Sequence, residues 1–380
     1  MEVSFTNWEE VALKRELLKG IYGNGFERPS PIQQKAILPI TQGKDVLAQA
    51  QSGTGKTGAF CVGAIQNMKS EEATPQLIIL APTRELAQQI QAVFDKLAMY
   101  TGLKSHLLIG GTQIDLDIFS INNKKPQAFI GCPGRVLDIL RRRVLNAAHL
   151  KMIVLDEADE ILSQGFQQQL YEIFQFVTEQ VQVIMFSATM PDSVVNITKK
   201  IMRNPVEILV KAEQMTLEGI SQFYVQFDND AEKTLALKDL YEGMSVSQSI
   251  IYCNSVKRVA DLYEKMRQAN FPVCCIHREM ERDERTQSYN DFIKGKYRML
   301  ISSNITARGI DVQQVGIVIN FDIPNDIHTY LHRIGRSGRW GRKGVGINFV
   351  NKGDFQKIKQ IEEYYQTKIA ELPSNYSNYL

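Results

Sequence analysis

The stretch AQSGTGKT at residues 50–57 decides the fold, because it joins an apolar run at 45–48 to a helix-like segment. Its glycines at 53 and 55 permit a tight turn whose N–H groups point inward at phosphate oxygens. Lys56 and Thr57 add an ammonium for the β- and γ-phosphates and a hydroxyl for Mg²⁺. Ala50 stands where the general pattern has Gly. The stretch nevertheless predicts a phosphate-binding loop between a strand and a helix of an α/β sheet.

A second informative stretch, DEAD at residues 156–159, follows the apolar run at 152–155. Open α/β sheets bind ligands at the carboxyl ends of their strands, so this position predicts a site. Asp156 is the expected Mg²⁺-side carboxylate, and Glu157 is expected to orient and deprotonate the attacking water. The alternative is a solvated acidic surface cluster. Together with residues 50–57, the stretch predicts nucleotide hydrolysis and favours a hydrolase over a kinase.

Buried-strand candidates alternate with helical patterns twice along the chain. The expected strands are 45–48, 77–81, 128–131, 152–155 and 181–186, then 249–253, 272–276, 298–302, 315–321 and 344–350. This alternation predicts an α/β fold in which a mostly parallel sheet flanked by helices is built twice. A polar segment between the two series predicts a first domain at 1–210, a short linker at 211–219 and a second domain at 220–380.

Composition is that of an ordinary protein with two domains, because 380 residues exceed what one hydrophobic core usually supports. The 44 basic and 42 acidic residues nearly cancel, so any nucleic-acid site must be a local patch. Five cysteines without a C-x-x-C pair favour a reducing compartment, cytosol or nucleus, over a disulfide framework. No apolar run approaches the roughly 18 residues of a membrane span, and the first residues lack a secretory leader pattern.

The segment 328–339 contains two spacings that suggest chemistry. Arg336 and Arg339 are three residues apart, which predicts that both lie on one face of a helix. The alternative is a solvated basic face, since further basic residues follow closely. His328 and His332 have a spacing that zinc ligands use, but position 329 is Thr and no further ligand cluster follows. Zinc is therefore not expected.

Six further stretches complete a pattern that resembles the DEAD-box RNA helicase family over essentially the whole chain. They are GFERPSPIQ at 25–33, PTRELA at 82–87, GG at 110–111, CPGR at 132–135, SAT at 187–189 and HRIGRSGR at 332–339. The resemblance implies two tandem RecA-like domains, an ATP hydrolase using Mg²⁺, and sequence-independent binding of single-stranded or short duplex RNA. It also implies that domain closure brings the arginines to the γ-phosphate and switches on hydrolysis.

The resemblance assigns roles residue by residue. Catalysis is implied for Lys56, Asp156, Glu157, Arg336 and Arg339. Nucleotide binding is implied for Phe26, Gln33, Gln51, Ser52, Gly53, Thr54, Gly55, Lys56, Thr57, Gly309 and Asp311. RNA binding is implied for Pro82, Thr83, Arg84, Gly111, Pro133, Gly134, Arg135, Gly165, Asn254, Arg285, Ser303 and Arg308. Ser187, Thr189 and His332 would couple hydrolysis to the RNA side, and Thr57 and Asp156 would hold Mg²⁺ through ATP and water. Phe26 would stack on the base while Gln33 bonds its edge.

Within the family, four stretches resemble the initiation-factor-4A branch and its exon-junction relative: 161–166, 216–220, 307–315 and 341–345. This implies local, non-processive unwinding of short RNA duplexes in translation initiation by a cytoplasmic monomer that works with a scaffold protein. A nuclear location is the alternative. One rival function is an RNA clamp locked by ATP, whose role is scaffolding. A second rival function is that of a P-loop kinase acting on small molecules, but this function would not explain why the fold is built twice.

Three departures from the family pattern fall in the second domain. Ser303-Asn304 replaces the usual Thr-Asp, His277-Arg278 the usual His-Gly, and Arg282 the usual Gln. Asn304 removes a negative charge, while Arg278 and Arg282 add cations near the expected RNA path. The resulting hypothesis is tighter and less discriminating RNA binding.

Overall fold

The computed structural model describes residues 5–50, 53–163, 165–209, 220–243, 248–304, 315–337 and 344–373. The chain divides into two compact units, Met1–Val210 and Lys211–Leu380. The predicted linker at 211–219 lies outside the described residues. So do six of the predicted site residues: Gln51, Ser52, Arg308, Gly309, Asp311 and Arg339.

In the described part of the first unit, seven parallel strands form one sheet in the order β3-β4-β2-β5-β6-β1-β7. The strands are β1 (Val46–Gln49), β2 (Leu77–Leu80), β3 (Ser105–Leu108), β4 (Ala128–Gly131), β5 (Met152–Leu155), β6 (Gln182–Ser187) and β7 (Val206–Ile208). The helices are α1 (Arg15–Gly23), α2 (Pro31–Thr41), α3 (Lys56–Asn67), α4 (Arg84–Ala98), α5 (Ile114–Lys124), α6 (Pro133–Arg141), α7 (Ala158–Ser163), α8 (Gln167–Phe176) and α9 (Asp192–Ile201).

Both faces of this sheet are covered, and β2 shows why its strands are continuous apolar runs. Leu77 and Ile79 belong to the apolar layer on one face, whereas Ile78 and Leu80 belong to the layer on the other. All four side chains are fully buried. A parallel strand with helices on both faces needs apolar side chains in both directions, so its sequence does not alternate.

In the described part of the second unit, seven parallel strands form a sheet in the order β10-β11-β9-β12-β13-β8-β14. The strands are β8 (Ile220–Gln226), β9 (Ser249–Tyr252), β10 (Val273–Ile276), β11 (Met299–Ser302), β12 (Ile317–Asn320), β13 (Gly344–Val350) and β14 (Ala370–Glu371). The helices are α10 (Asp230–Gly243), α11 (Val256–Gln268), α12 (Arg282–Ile293), α13 (Ile327–Ile334) and α14 (Phe355–Tyr365).

The strand order is the same in the two sheets when each is counted from the first strand of its own unit. The predicted α/β fold, built twice from parallel strands and flanking helices, is therefore confirmed. None of the helices in the described ranges has both the length and the apolarity needed to cross a membrane.

All ten predicted strands are present with ends within two residues of the prediction, but the sequence did not predict β3, β7, β8 and β14. Three of these, β3, β7 and β14, lie at sheet edges and have two or three half-buried or exposed residues each. An edge strand needs no continuous apolar run, so it leaves a weak signal. In β8 the apolar residues are interrupted by Ser221 and Gln222.

Candidate active site and RNA-side loops

The loop between β1 and α3 carries the predicted phosphate-binding residues. Gly53 and Gly55 have φ angles of 85° and 95°, the left-handed region that favours glycine. Gly55 is the N-cap of α3, so the first N–H groups of this helix face the loop. Thr54 and Thr57 are half-buried beside them.

Lys56 opens α3, and its side chain is 6% exposed. Its ammonium has no hydrogen-bond partner among the described residues. Nζ lies 3.7 Å from Asp156 Oδ1 and 3.9 Å from Glu157 Oε1. A buried ammonium without an acceptor costs free energy unless an anion reaches it. The loop therefore fits a phosphate group.

Asp156 and Glu157 leave the carboxyl end of β5, as the sequence predicts, and both are buried. The Asp156 N–H donates to the Leu80 carbonyl at 3.0 Å, which continues the sheet ladder beyond the strand. Glu157 has a φ of 51°, so the backbone turns away there. The acidic stretch is not a solvated surface cluster.

Burial raises the pKa of Asp156 to about 6, and the nearby Lys56 ammonium opposes that rise. Two carboxylates and one ammonium leave one net negative charge in the pocket, which favours a bound cation. Within the described ranges, no three side chains of metal-ligating type cluster together. The donor set therefore fits Mg²⁺ held by Asp156, the Thr57 hydroxyl and phosphate oxygens rather than by an all-protein cage.

Phe26, which precedes α2, and Gln33, on α2, both lie beside the first turn of α3, where the resemblance places an adenine. A Cβ on Gly58 would lie 2.6 Å from Gln33 Nε2 and 3.3 Å from a Phe26 ring carbon. Gln33 is buried, its Nε2 donates to the Gly55 carbonyl at 3.1 Å, and its Oε1 accepts from the Ser30 N–H at 2.8 Å. The amide is thus tied to the phosphate loop itself, which links the expected base position to the expected phosphate position.

A hydrogen-bonded cluster joins the DEAD stretch to the SAT stretch. Thr189 Oγ1 donates to Asp159 Oδ2 at 2.6 Å. Ser187 Oγ accepts from the Asp159 N–H at 3.3 Å and donates to the Thr189 carbonyl at 2.6 Å. All three residues are buried. The two stretches are therefore joined directly by buried hydrogen bonds.

The loops after β2, β3 and β4 converge at the carboxyl edge of the first sheet. A Cβ on Gly110 would lie 3.3 Å from an Arg84 guanidinium nitrogen. Arg135 donates to the Thr112 hydroxyl at 2.9 Å and to the Thr112 carbonyl at 2.8 Å. The remaining predicted residues of this unit are placed as follows: Pro82 and Thr83 are buried, Pro133 opens α6, Gly134 is exposed, and Gly111 and Gly165 have φ of 85° and 83°. The structure thus brings the β2, β3 and β4 loops together.

Asp117 is a residue of this edge that the sequence did not predict. Its carboxylate is 9% exposed and forms an ion pair with Arg135, whose side chain is 11% exposed. His106 Nε2 lies 3.2 Å from the other carboxylate oxygen. Burial lowers the pKa of His106, although Asp117 opposes this. A lone Asp on an amphipathic helix gives no local signal, because the partner arginine is 18 residues away.

In the second unit, α13 carries His332, which is buried. Arg336 follows and is 3% exposed, with its Nε donating to the His332 carbonyl at 3.3 Å. The prediction that Arg336 lies on a helix face is wrong, because α13 ends at Ile334 with Gly335 as its C-cap. The Ser337 N–H and hydroxyl both donate to the Ile334 carbonyl at 2.9 Å, which closes the helix end. The solvated basic face is also wrong for Arg336.

Three other predicted RNA residues of the second unit are described, two after strands and one on a helix. Asn254 is exposed after β9, Ser303 is half-buried after β11, and Arg285 is half-buried on α12. The Asn254 amide donates to the Ile323 carbonyl at 2.8 Å. Arg278, after β10, has a 78% exposed side chain, with Nε 3.7 Å from Glu279 Oε1.

A cavity of about 350 Å³ lies at the carboxyl edge of the second sheet, lined in part by Lys233, Arg258 and Asp322. Lys233 follows the end of β8 by the same number of residues as Lys56 follows β1. Its buried ammonium donates to the carbonyls of Phe321 and Phe349, both at 3.1 Å. Unlike the ammonium of Lys56, this one already has acceptors within the fold.

The doubled parallel fold, the phosphate loop and the strand-end carboxylates define a class of nucleotide-hydrolysing α/β protein. Residues 30–197 match the family model for the DEAD/DEAH box helicase, and residues 232–341 match the helicase conserved C-terminal domain. The chain is 49% identical over 371 residues to the ATP-dependent RNA helicase eIF4A of Kluyveromyces lactis, which covers 98% of this chain and 93% of that protein. It is also 49% identical over 373 residues to eukaryotic initiation factor 4A of Caenorhabditis elegans, with 97% and 92% covered.

Among solved structures, S. cerevisiae Dbp5 bound to RNA and ADP BeF3 matches with a TM-score of 0.90 and 36% identity, covering 98% of this chain and 97% of that chain. The chain belongs to the DEAD-box RNA helicase family. Its two units are tandem RecA-like domains, and the protein is an ATP-dependent RNA helicase similar to initiation factor 4A, hence an ATP-hydrolysing and RNA-binding enzyme.

Proposed function

We propose that this helicase acts in translation initiation, where RNA-stimulated ATP hydrolysis drives domain closure and local, non-processive unwinding of short RNA duplexes. The buried Lys56 ammonium, which faces two carboxylates but has no hydrogen-bond partner among the described residues, is the observation that carries the hydrolase role. The names of the curated relatives support the initiation role.

In the proposed reaction, Lys56 binds the β- and γ-phosphates, and the loop N–H groups around Gly53 and Gly55 orient them. Asp156 and Thr57 hold Mg²⁺, which when bound neutralises developing phosphate charge. Glu157 accepts a proton from the attacking water, a contribution of about 10² to 10⁴ in rate.

The remaining nucleotide contacts come from both domains in this proposal. Phe26 and Gln33 receive the adenine, and Gly309 and Asp311 add contacts from the second domain. Arg336 and Arg339 stabilise charge on the γ-phosphate after domain closure, so hydrolysis requires the second domain to close on the nucleotide. His332, buried on α13 close to Arg336, supports that coupling.

For RNA, we propose that the converged loops of the first domain contact the sugar-phosphate backbone through Arg84, Arg135, the neighbouring hydroxyls and main-chain N–H groups. Neutralising about five phosphates of a single strand gives a log-log salt slope near −3.5. The bond between Thr189 and Asp159 supports a coupling role for the SAT stretch, because it joins the residues that follow β6 to the DEAD stretch.

We also propose the partner and the location of the protein. A monomer that works in the cytoplasm with a scaffold protein of the initiation type fits initiation factor 4A, the name that the relatives carry. The alternative, an RNA clamp locked by ATP, differs in product release: a clamp retains RNA for many minutes with ATP, whereas a helicase turns over.

The test is the ATPase rate with and without single-stranded RNA for the parent and for Glu157→Gln. We expect RNA to stimulate the parent, and the variant to bind ATP and RNA but hydrolyse at least 100-fold more slowly. Hydrolysis that ignores RNA, or that survives the substitution, would contradict the mechanism. Unwinding of a short duplex without dissociation of longer duplexes would support the non-processive assignment.

A further inference from the structure

Arg333 is a fully buried arginine on α13 whose guanidinium donors all have acceptors. Nε donates to Asn304 Oδ1 at 2.9 Å, and Nη1 donates to Asn320 Oδ1 at 3.1 Å and to the Asp322 carbonyl at 2.7 Å. Nη2 donates to Asn254 Oδ1 at 2.7 Å and again to Asn304 Oδ1. One guanidinium therefore joins the loops that follow β9, β11 and β12.

The acceptors around this cation are neutral. Three are amide oxygens and one is a main-chain carbonyl, and the Asp322 carboxylate is instead paired with Arg258. No ion pair of Arg333 occurs in the described part of the chain. Burial lowers the pKa of Arg333 to about 10, which still leaves it charged at neutral pH. The guanidinium also lies over the Tyr252 ring, 5.2 Å from its centroid. A buried cation whose hydrogen-bond acceptors are all neutral costs free energy that a nearby carboxylate would reduce.

This contact fixes the orientation of the Asn304 amide. A guanidinium has donors and no acceptor, so the amide oxygen must face Arg333. The amide NH₂ of Asn304 therefore points away from Arg333. It has no hydrogen-bond partner among the described residues, and Asn304 is exposed. An oriented, unused donor thus lies directly beside Ser303.

A buried hydrogen-bond network in the core holds the Arg333 guanidinium through Asn320. Asn320 Nδ2 donates to Asn348 Oδ1 at 2.9 Å, and Asn348 Nδ2 donates to the Tyr330 hydroxyl at 3.2 Å. All three residues are buried. A fully satisfied buried network is rigid. Arg333 is therefore held in place and can fix the orientation of the Asn304 side chain.

We propose that the Asn304 amide donates a hydrogen bond to an RNA backbone phosphate or ribose oxygen, and that Arg333 is the positioning residue that orients it. The proposal rests on the proposed RNA-helicase function and on the RNA-binding role that the family resemblance implies for Asn254, Arg285 and Ser303 in the second domain. An aspartate at 304 would form an ion pair with Arg333 but would present only acceptors to an anionic backbone. An aspartate at 304 should therefore raise the stability of the fold and lower the affinity for RNA, relative to the asparagine.

The experiment compares the parent with Asn304→Asp, using fluorescein-labelled single-stranded RNA and a non-hydrolysable ATP analogue. We expect Asn304→Asp to weaken RNA binding about tenfold or more, because a donor to a charged group is lost and a like charge is added. The same variant should raise Tm by about 2–4 °C through the new ion pair with Arg333. Affinity for the ATP analogue without RNA should not change.

Asn290→Asp, the same substitution at an exposed position of α12, controls for the change in net charge and should leave RNA affinity unchanged. Asn304→Ala should lower both RNA affinity and Tm, because it removes the donor and leaves the buried Arg333 Nε–H without its acceptor. RNA affinity that is unchanged or higher in Asn304→Asp overturns the proposal, as does a fall in its Tm. Failure of the proposed function looks different: the parent ATPase would not respond to RNA.

Discussion

Thr189 Oγ1 donates a 2.6 Å hydrogen bond to Asp159 Oδ2, and both residues are buried. The last carboxylate of the DEAD stretch is thus bound to the last hydroxyl of the SAT stretch. Asp156 and Glu157 belong to the same stretch as Asp159, so this bond connects the residues proposed for chemistry to those proposed for coupling.

Replacing Thr189 with Val, which keeps the shape but removes the hydroxyl, tests this connection. We expect RNA stimulation of the ATPase to fall about fivefold or more, because the coupling contact is lost. ATP affinity should be nearly unchanged. The unfolding free energy should fall by about 1–3 kcal/mol through the lost buried hydrogen bond.

Steady-state ATPase at varied RNA concentration, with chemical denaturation, measures both effects. Thr198→Val is the matched control, since its hydroxyl donates only within α9 and to a methionine sulfur of β6. Equal loss of basal and RNA-stimulated hydrolysis in Thr189→Val would argue against a coupling role.

Asp117→Asn should weaken RNA binding, because the carboxylate that orients Arg135 is removed. Breaking a largely buried pair costs about 3–5 kcal/mol of unfolding free energy, since the partner charge remains buried. The KM for ATP should change little, because Asp117 lies on the RNA-side edge. Asp138→Asn, which breaks an exposed pair on α6, is the control for RNA affinity and for Tm. Unaltered RNA affinity in a folded Asp117→Asn would contradict the role of Arg135.

His106 predicts a pH dependence of stability. Its ordinary pKa is about 6.5, and burial lowers it in the folded protein. As the pH falls below 6.5, the unfolded chain binds a proton at His106 that the folded chain does not, so the unfolding free energy decreases. The effect ends once the pH is below the folded pKa. His106→Gln should flatten the dependence just below pH 6.5, whereas His149→Gln, at an exposed position, should not. Urea unfolding across this range decides between them.

Arg278 is one of the three departures from the family pattern, and we expect its positive charge to increase RNA affinity. Its side chain is 78% exposed and its neighbour Glu279 is 3.7 Å away, so most of its charge remains available. Arg278→Gln should weaken RNA binding and make the log-log salt slope shallower by up to about 0.7. Arg267→Gln, at the far end of α11, is the control. Equal slopes in parent and Arg278→Gln would remove this residue from the RNA path.

The sequence could predict the first half of the nucleotide site because its signals are local. A phosphate loop needs glycines in the left-handed region directly before a lysine, and the DEAD carboxylates directly follow a buried strand. Such patterns involve only a few consecutive residues. The structure accordingly has the predicted loop glycines, lysine and strand-end carboxylate in place, at Gly53, Gly55, Lys56 and Asp156.

The sequence could not predict contacts between distant positions. Arg333 and Asn304 are 29 residues apart, and Arg135 and Asp117 are 18 apart. The hypothesis about Asn304 correctly noted a missing charge, but only the structure shows that the neighbour of this position is a buried guanidinium. The spacing of Arg336 and Arg339 predicts a helix at these positions, but α13 ends at Ile334, before Arg336.

The second domain retains the strand order of the first and a Lys-Thr pair at the corresponding place, Lys233-Thr234. There the lysine is bonded to two main-chain carbonyls, and the threonine hydroxyl donates to the carbonyl of Asp230. The Lys233 ammonium thus stabilises the fold of the second domain, whereas the Lys56 ammonium of the first domain is available to a phosphate. A single equivalent of ATP per chain should saturate the protein in equilibrium dialysis.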